Sequence, residues 1–123
     1  MKYRELSHEE LSAFLKTFDF EYETVHRRLC FAIIKRIHRR TLMGYDFGEI
    51  VICPIKEIVI EGNHRYIAYQ LAEKKIKFRI GTSSFCDSGI DFNRVDLDVL
   101  DDWDTHQEHT RIYLNDDFLK DML

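Results

Sequence analysis

The stretch that most constrains this chain is Glu57–Gly81, EIVIEGNHRYIAYQLAEKKIKFRIG, which changes hydrophobic period twice within 25 residues. Ile58, Val59 and Ile60 are a β-branched run too short for a helix, and Gly62 supplies the backbone freedom of a sharp turn. From Asn63 onward Ile67, Ala68, Leu71 and Ala72 fall on one helical face. Glu73, Lys74 and Lys75 close that helix with mostly basic residues suited to its C-terminus. Ile76, Phe78 and Ile80 then alternate with Lys77 and Arg79, which predicts a half-buried strand. The reading is strand, turn, helix, strand. It places Asn63, His64 and Arg65 in a first helical turn, where free N–H groups and the positive end of the helix dipole suit a phosphate or other oxyanion.

The turn Glu61-Gly62-Asn63-His64-Arg65-Tyr66, in this strand-to-helix context, resembles the ParB/sulfiredoxin superfamily. The resemblance covers Gly48–Gly81, about a quarter of the chain. It implies an α+β fold with a small mixed β-sheet packed with helices, and a nucleotide- or phosphate-binding role. The implied binding residues are Gly62, Asn63, His64 and Arg65, with His64 and Arg65 as the catalytic candidates if phosphoryl groups are hydrolysed or transferred. The implied cofactor is a nucleotide of the ATP or CTP type with Mg2+, and catalysis would rest on positioning and electrostatic stabilisation. The chain departs from the family in three places. Asn63 stands where sulfiredoxin-like members have a reactive cysteine, so sulfinic-acid reduction is not expected. The 42 residues after Gly81 are too few and too acidic for the DNA-binding domain of partition proteins. Free-serine kinases of the superfamily need an upstream glutamate, for which Glu49, Glu57 and Glu61 are the candidates.

Arg65 offers a planar fork matched to phosphate oxygens, or else a surface ion pair with Glu61 or a tail aspartate. His64, with an ordinary pKa near neutrality, could donate to a phosphate or shuttle a proton. Asn63 reads as a helix cap. Ser83 and Ser84 follow the strand Lys77–Gly81; if that strand lies beside Ile58–Ile60, they approach the same sheet edge and add hydroxyl donors. Lys56 and Arg79 flank the same strands. Tyr66 and Tyr69 are candidate base-stacking rings, with core packing as the alternative.

The net charge of −4 hides a division: residues 1–86 hold 15 Lys/Arg against 11 Asp/Glu, residues 87–123 hold 3 against 11. No acid occurs between Thr24 and Tyr45, where Arg27, Arg28, Lys35, Arg36, Arg39 and Arg40 cluster. This opens a second class of function, a DNA- or RNA-binding or nuclease protein using a basic helix masked by the acidic segment. The alternative is that basic and acidic surfaces pair within one fold. A third class is a non-enzymatic accessory or phage-type regulator with a protein partner.

The 123 residues suit one domain, 1–123, with N-terminal helices over about 8–40 and an acidic C-terminal segment 87–123. Ser7-His8-Glu9-Glu10 is a capping box for a helix over 8–18, with Leu11, Phe14, Leu15 and Phe18 as its stripe. A second helix is expected over Tyr22–Arg40, although Leu29–Ile34 also fits a buried strand. Glu49–Cys53 reads as a strand, Val95 and Leu97 start another, and Asn115 caps a last helix over 116–123. Three widely spaced cysteines, Cys30, Cys53 and Cys86, indicate neither a disulfide framework nor a zinc site. His106 and His109 share a helical face but lack a third ligand at a diagnostic spacing, so no metal site is assigned. No apolar run reaches membrane-spanning length and no signal peptide is evident; the expected setting is cytoplasmic and reducing, with no membrane partner.

Overall fold

In the computed structural model, which describes residues 5–81, 89–101 and 103, the Ser7 hydroxyl accepts the Glu10 N–H at 3.1 Å and starts helix α1 (His8–Thr17). This is the serine half of the expected capping box. Leu11 and Leu15 enter the core, while Phe14 and Phe18 stack on each other at 4.7 Å and meet Phe20 edge-on.

The expected helix over Tyr22–Arg40 is replaced by two short strands and a shorter helix. Strand β1 (Glu23–Thr24) and strand β2 (Arg28–Cys30) precede helix α2 (Phe31–Leu42). The three- and four-residue spacing that suggested one helix holds only from Phe31 on. Ahead of it, strand pairing overrides the local pattern. Leu29 and Cys30 are thus strand, as the alternative had it, whereas Phe31–Ile34 are helix. Helix α2 buries Ile33, Ile34 and Ile37.

The hairpin of strands β3 (Ile50–Cys53) and β4 (Ile58–Glu61) is antiparallel, with an irregular register between Val51 and Ile52. Helix α3 (Asn63–Leu71) follows β4 and packs on α2. It ends earlier than Glu73–Lys75 would suggest. Glu73 takes a left-handed φ of 57°, its N–H meets the Gln70 carbonyl at 3.2 Å, and Lys74 N–H meets the Tyr69 carbonyl at 2.9 Å. That is a Schellman turn with glutamate where glycine is usual.

Strand β5 (Phe78–Ile80) does not lie beside β4. The sheet order is β1-β4-β3-β5, with β1 parallel to β4 and β5 parallel to β3. Both edges of β4 are occupied, one by its hairpin partner and one by β1, so the crossover through α3 must reach the free edge of β3. Strand β5 therefore runs opposite to β4 and leads the chain out at the end of the sheet away from Gly62. The premise that would carry Ser83 and Ser84 to the turn is not met, and these two residues lie outside the described ones. Nor is β5 half-buried: Phe78 and Ile80 are 39% and 70% exposed.

A 3-10 turn (Phe92–Arg94) leads into strand β6 (Asp96–Asp98), which pairs in parallel with β2, Cys30 opposite Asp98. Ile50, Ile52, Val59, Tyr66, Ile67 and Phe92 belong to the main core, and Cys53 and Ile58 form a small second cluster with Ile60 on the other sheet face. The described residues form an α+β domain, with a mixed sheet and three helices. No helix among the described residues is long and apolar enough to cross a membrane. The predicted helix 116–123, the His106/His109 pair and Cys86 lie outside the described residues.

Candidate functional site

Gly62 ends β4 in the left-handed region, at φ 92° and ψ 34°, and serves as N-cap of α3. The left-handed backbone favours glycine, and a Cβ there, 2.7 Å from Arg65 Nη2 and 2.9 Å from Ile50 Cδ1, would also have to displace the ends of those two side chains. The first helical bond runs from Tyr66 N–H to the Gly62 carbonyl at 2.7 Å, and Gly62, as N-cap, has no side chain to cap the helix. The amides of Asn63, His64 and Arg65 consequently have no intrahelical acceptor.

The three motif side chains each tie α3 to a different element. Asn63 is buried and is not the cap; its Oδ1 accepts the Thr24 hydroxyl at 2.7 Å, joining α3 to β1. Thr24 Oγ1 in turn accepts the His26 N–H at 3.1 Å. His64 Nε2 accepts the Cys30 N–H at 2.9 Å, clasping α3 to the β2–α2 junction. Nε2 is then unprotonated and the ring proton of the neutral imidazole sits on Nδ1. Burial, with a smaller contribution from nearby His26, pushes the His64 pKa down to about 4. The ring is therefore neutral at pH 7, a donor through Nδ1 rather than a shuttle. Arg65 lies back across Gly62, and its Nη2 donates to the Glu49 carbonyl at 3.1 Å. Its Nε is buried without an acceptor among the described residues. Among the described residues neither Glu61 nor an aspartate takes the alternative ion pair with Arg65, and the aspartates beyond Asp101 lie outside them.

A cleft of about 370 Å³ opens at this turn, lined by Gly62, Asn63, His64 and Arg65 together with His26, Leu29, Ile60, Glu61 and Trp103. Arg65 also lines a second pocket with Glu49, Glu61 and Arg79, where Arg79 Nε stands 3.8 Å from a Glu49 oxygen. Of the upstream glutamates, Glu61 and Glu49 thus adjoin the turn, while Glu57 sits with Lys56 in the β3–β4 turn at the opposite end of the hairpin.

Sequence reasoning passed over Trp103 and His26. Trp103 Nε1 donates to Asp98 Oδ2 at 2.8 Å, and the indole meets the His64 ring edge-to-face at 5.7 Å. Asp98 also accepts the Leu100 and Asp101 amides, both at 3.1 Å, and pairs with Arg28 at 3.1 Å. These donors, Trp103 foremost, hold its carboxyl below the usual range. One signal was available: the chain's sole tryptophan stands just beyond a strand ending in an aspartate.

The cations of the basic segment are dispersed. Arg27 is exposed, Arg28 faces Asp98, and Lys35 and Arg39 both pair with Glu5. Arg40 is 3% exposed with its guanidinium over the Phe47 ring, and Arg36 is half-buried. Tyr66 and Tyr69 are core residues, and their hydroxyls bond to the backbone at Tyr22, Phe47 and Gly48. Cys30 and Cys53 are buried. Among the described residues no three His, Cys, Asp or Glu side chains gather as a metal site. Comparison with models of protein families, with curated proteins and with solved structures finds no match to this chain.

Proposed function

We propose that this is a ParB/sulfiredoxin-like domain that binds a nucleotide or other phosphate-bearing ligand at Gly62–Arg65. The observation that supports this most is the left-handed glycine that leaves three consecutive helical amides uncapped at the lip of a cleft. The His64 Nδ1–H adds a neutral donor, and Arg65 adds the positive charge. Both side chains are held by backbone partners, so the donors are fixed before a ligand arrives and little ordering cost falls on binding. Glu61 is the one carboxylate lining the cleft among the described residues. One carboxylate plus ligand phosphates is a donor set that Mg2+ accepts. If phosphoryl chemistry occurs, Glu61 and His26 are the groups placed to take a proton, because Cys30 N–H already occupies the acceptor nitrogen of His64.

The test is calorimetric titration of inorganic phosphate, ATP and CTP, with and without Mg2+, against wild type and a folded Arg65→Ala variant. A lost charge-assisted contact of about 1.5–3 kcal/mol predicts an affinity loss of roughly tenfold to a hundredfold. Equal affinities, or no binding by wild type at millimolar concentrations, would contradict the proposal.

A further inference from the structure

The cleft at Gly62 is lined by two unlike groups. One is the polar turn, Gly62 to Arg65, and the other is the Trp103 indole; both line the same cavity of about 370 Å³. That volume falls within the roughly 300–1,000 Å³ usual for small-molecule sites, beyond what a bare phosphate needs. Among the described residues that line it, Trp103 carries the only large aromatic ring. Tyr66 and Tyr69, the other candidate stacking rings in the sequence, are 0% and 1% exposed and closed to a ligand.

The indole is also held. Its N–H is fixed on Asp98 Oδ2, and that carboxylate is itself pinned by the Leu100 and Asp101 amides and by Arg28. The indole meets His64 edge-to-face, at an interplanar angle of 86°, and packs in part against the main core, while the rest of it lines the cavity. A donor-lined turn and a fixed aromatic plane within one small cleft are the two requirements of a ligand that is anionic at one end and planar at the other.

We infer that Trp103 is a specificity-determining residue whose indole stacks the base of a free nucleotide while its phosphate sits at Gly62–Arg65. This inference rests on the anion-site reading above and narrows its ligand class. Stacking between a base and an aromatic side chain is tolerant of base identity, so purine and pyrimidine nucleotides should both gain from it. Asp98 acts through Trp103, as a positioning residue.

The experiment titrates inorganic phosphate, ribose 5-phosphate, AMP and CMP against wild type, Trp103→Leu and Trp103→Phe, with folding checked by circular dichroism. In wild type AMP and CMP should bind more tightly than ribose 5-phosphate by about five- to a hundredfold, the range expected of one stacked base. Trp103→Leu should remove that gain, bringing AMP and CMP down to the affinity of ribose 5-phosphate, and Trp103→Phe should keep most of it. Because the chain has a single tryptophan, AMP should also shift wild-type indole fluorescence where phosphate does not, a readout that survives if the variants fail to fold. Phosphate binding with no added gain from a base, or an unaltered gain in Trp103→Leu, overturns the stacking role and leaves the anion site standing. Equal loss of phosphate and nucleotide in Trp103→Leu also overturns it, since the indole would then serve only to hold His64. No phosphate binding by wild type overturns both.

Discussion

The turn at Gly62 and the basic segment Arg27–Arg40 both present cations in sequence, yet only one gathers donors around a cavity. The basic segment has six cations in 14 residues, but folding breaks it across β2 and α2. Glu5, Asp98 and the Phe47 ring then engage Lys35, Arg39, Arg28 and Arg40. The turn has a single arginine, but a left-handed glycine, three uncapped amides and a clasped imidazole meet there at one cleft. Charge density along a chain is a poor guide to a site when the residues fall on different elements. Backbone geometry that aims several donors at one place is a better one.

The largest effect expected is at the glycine. Gly62→Val forces a β-branched residue to φ 92° and drives its Cβ against Ile50, so it should cost about 2–5 kcal/mol, combining left-handed strain with overpacking. Urea denaturation measures this; a cost under about 1 kcal/mol would show that the turn relaxes easily and that its geometry is not imposed.

The next concerns the imidazole clasp and pH. His64 has a folded pKa of about 4 against 6.5 for its ordinary value, so between these values the unfolded chain binds the proton that the folded chain does not. Stability is therefore fully present above pH 6.5 and falls as pH drops toward 4, by up to roughly 3 kcal/mol at 1.36 kcal/mol per pKa unit. His64→Gln retains an acceptor for the Cys30 N–H and should flatten this part of the profile relative to wild type. A parallel profile in the variant would assign the acid sensitivity to other groups.

The smallest effect belongs to the basic segment. Lys35→Ala removes a partly exposed pair with Glu5, 3.4 Å apart, and should cost no more than about 1 kcal/mol, with phosphate affinity unchanged. A loss of phosphate binding in Lys35→Ala would reverse the comparison and return α2 to consideration as the anion surface.

The parts of the fold legible in sequence are those fixed by neighbours along the chain. The Ser7 cap, the β-branched strands β3 and β4, the glycine turn and the start of α3 each follow from residues within a few positions of one another. The misread parts depend on distant partners. Glu23 and Thr24 become strand because β4 offers an edge, and Thr24 is buried because Asn63, 39 positions away, needs its hydroxyl. Strand β5 goes to β3 because β4 is already paired on both sides. The same holds within the site. Gly62 announces itself, while the backbone acceptors and donors that hold His64 and Arg65, and the indole that lines the same cleft, come from Cys30, Glu49 and Trp103. None of these has a local signature of that role.

The most direct measurement of the central claim is a phosphate titration followed by amide chemical shifts of the isotopically labelled wild-type protein. The account predicts that the largest saturable shifts fall on the Asn63, His64 and Arg65 amides, with those of Phe31–Leu42 nearly unmoved. Shifts concentrated on Arg27–Arg40, or none that saturate, would contradict it.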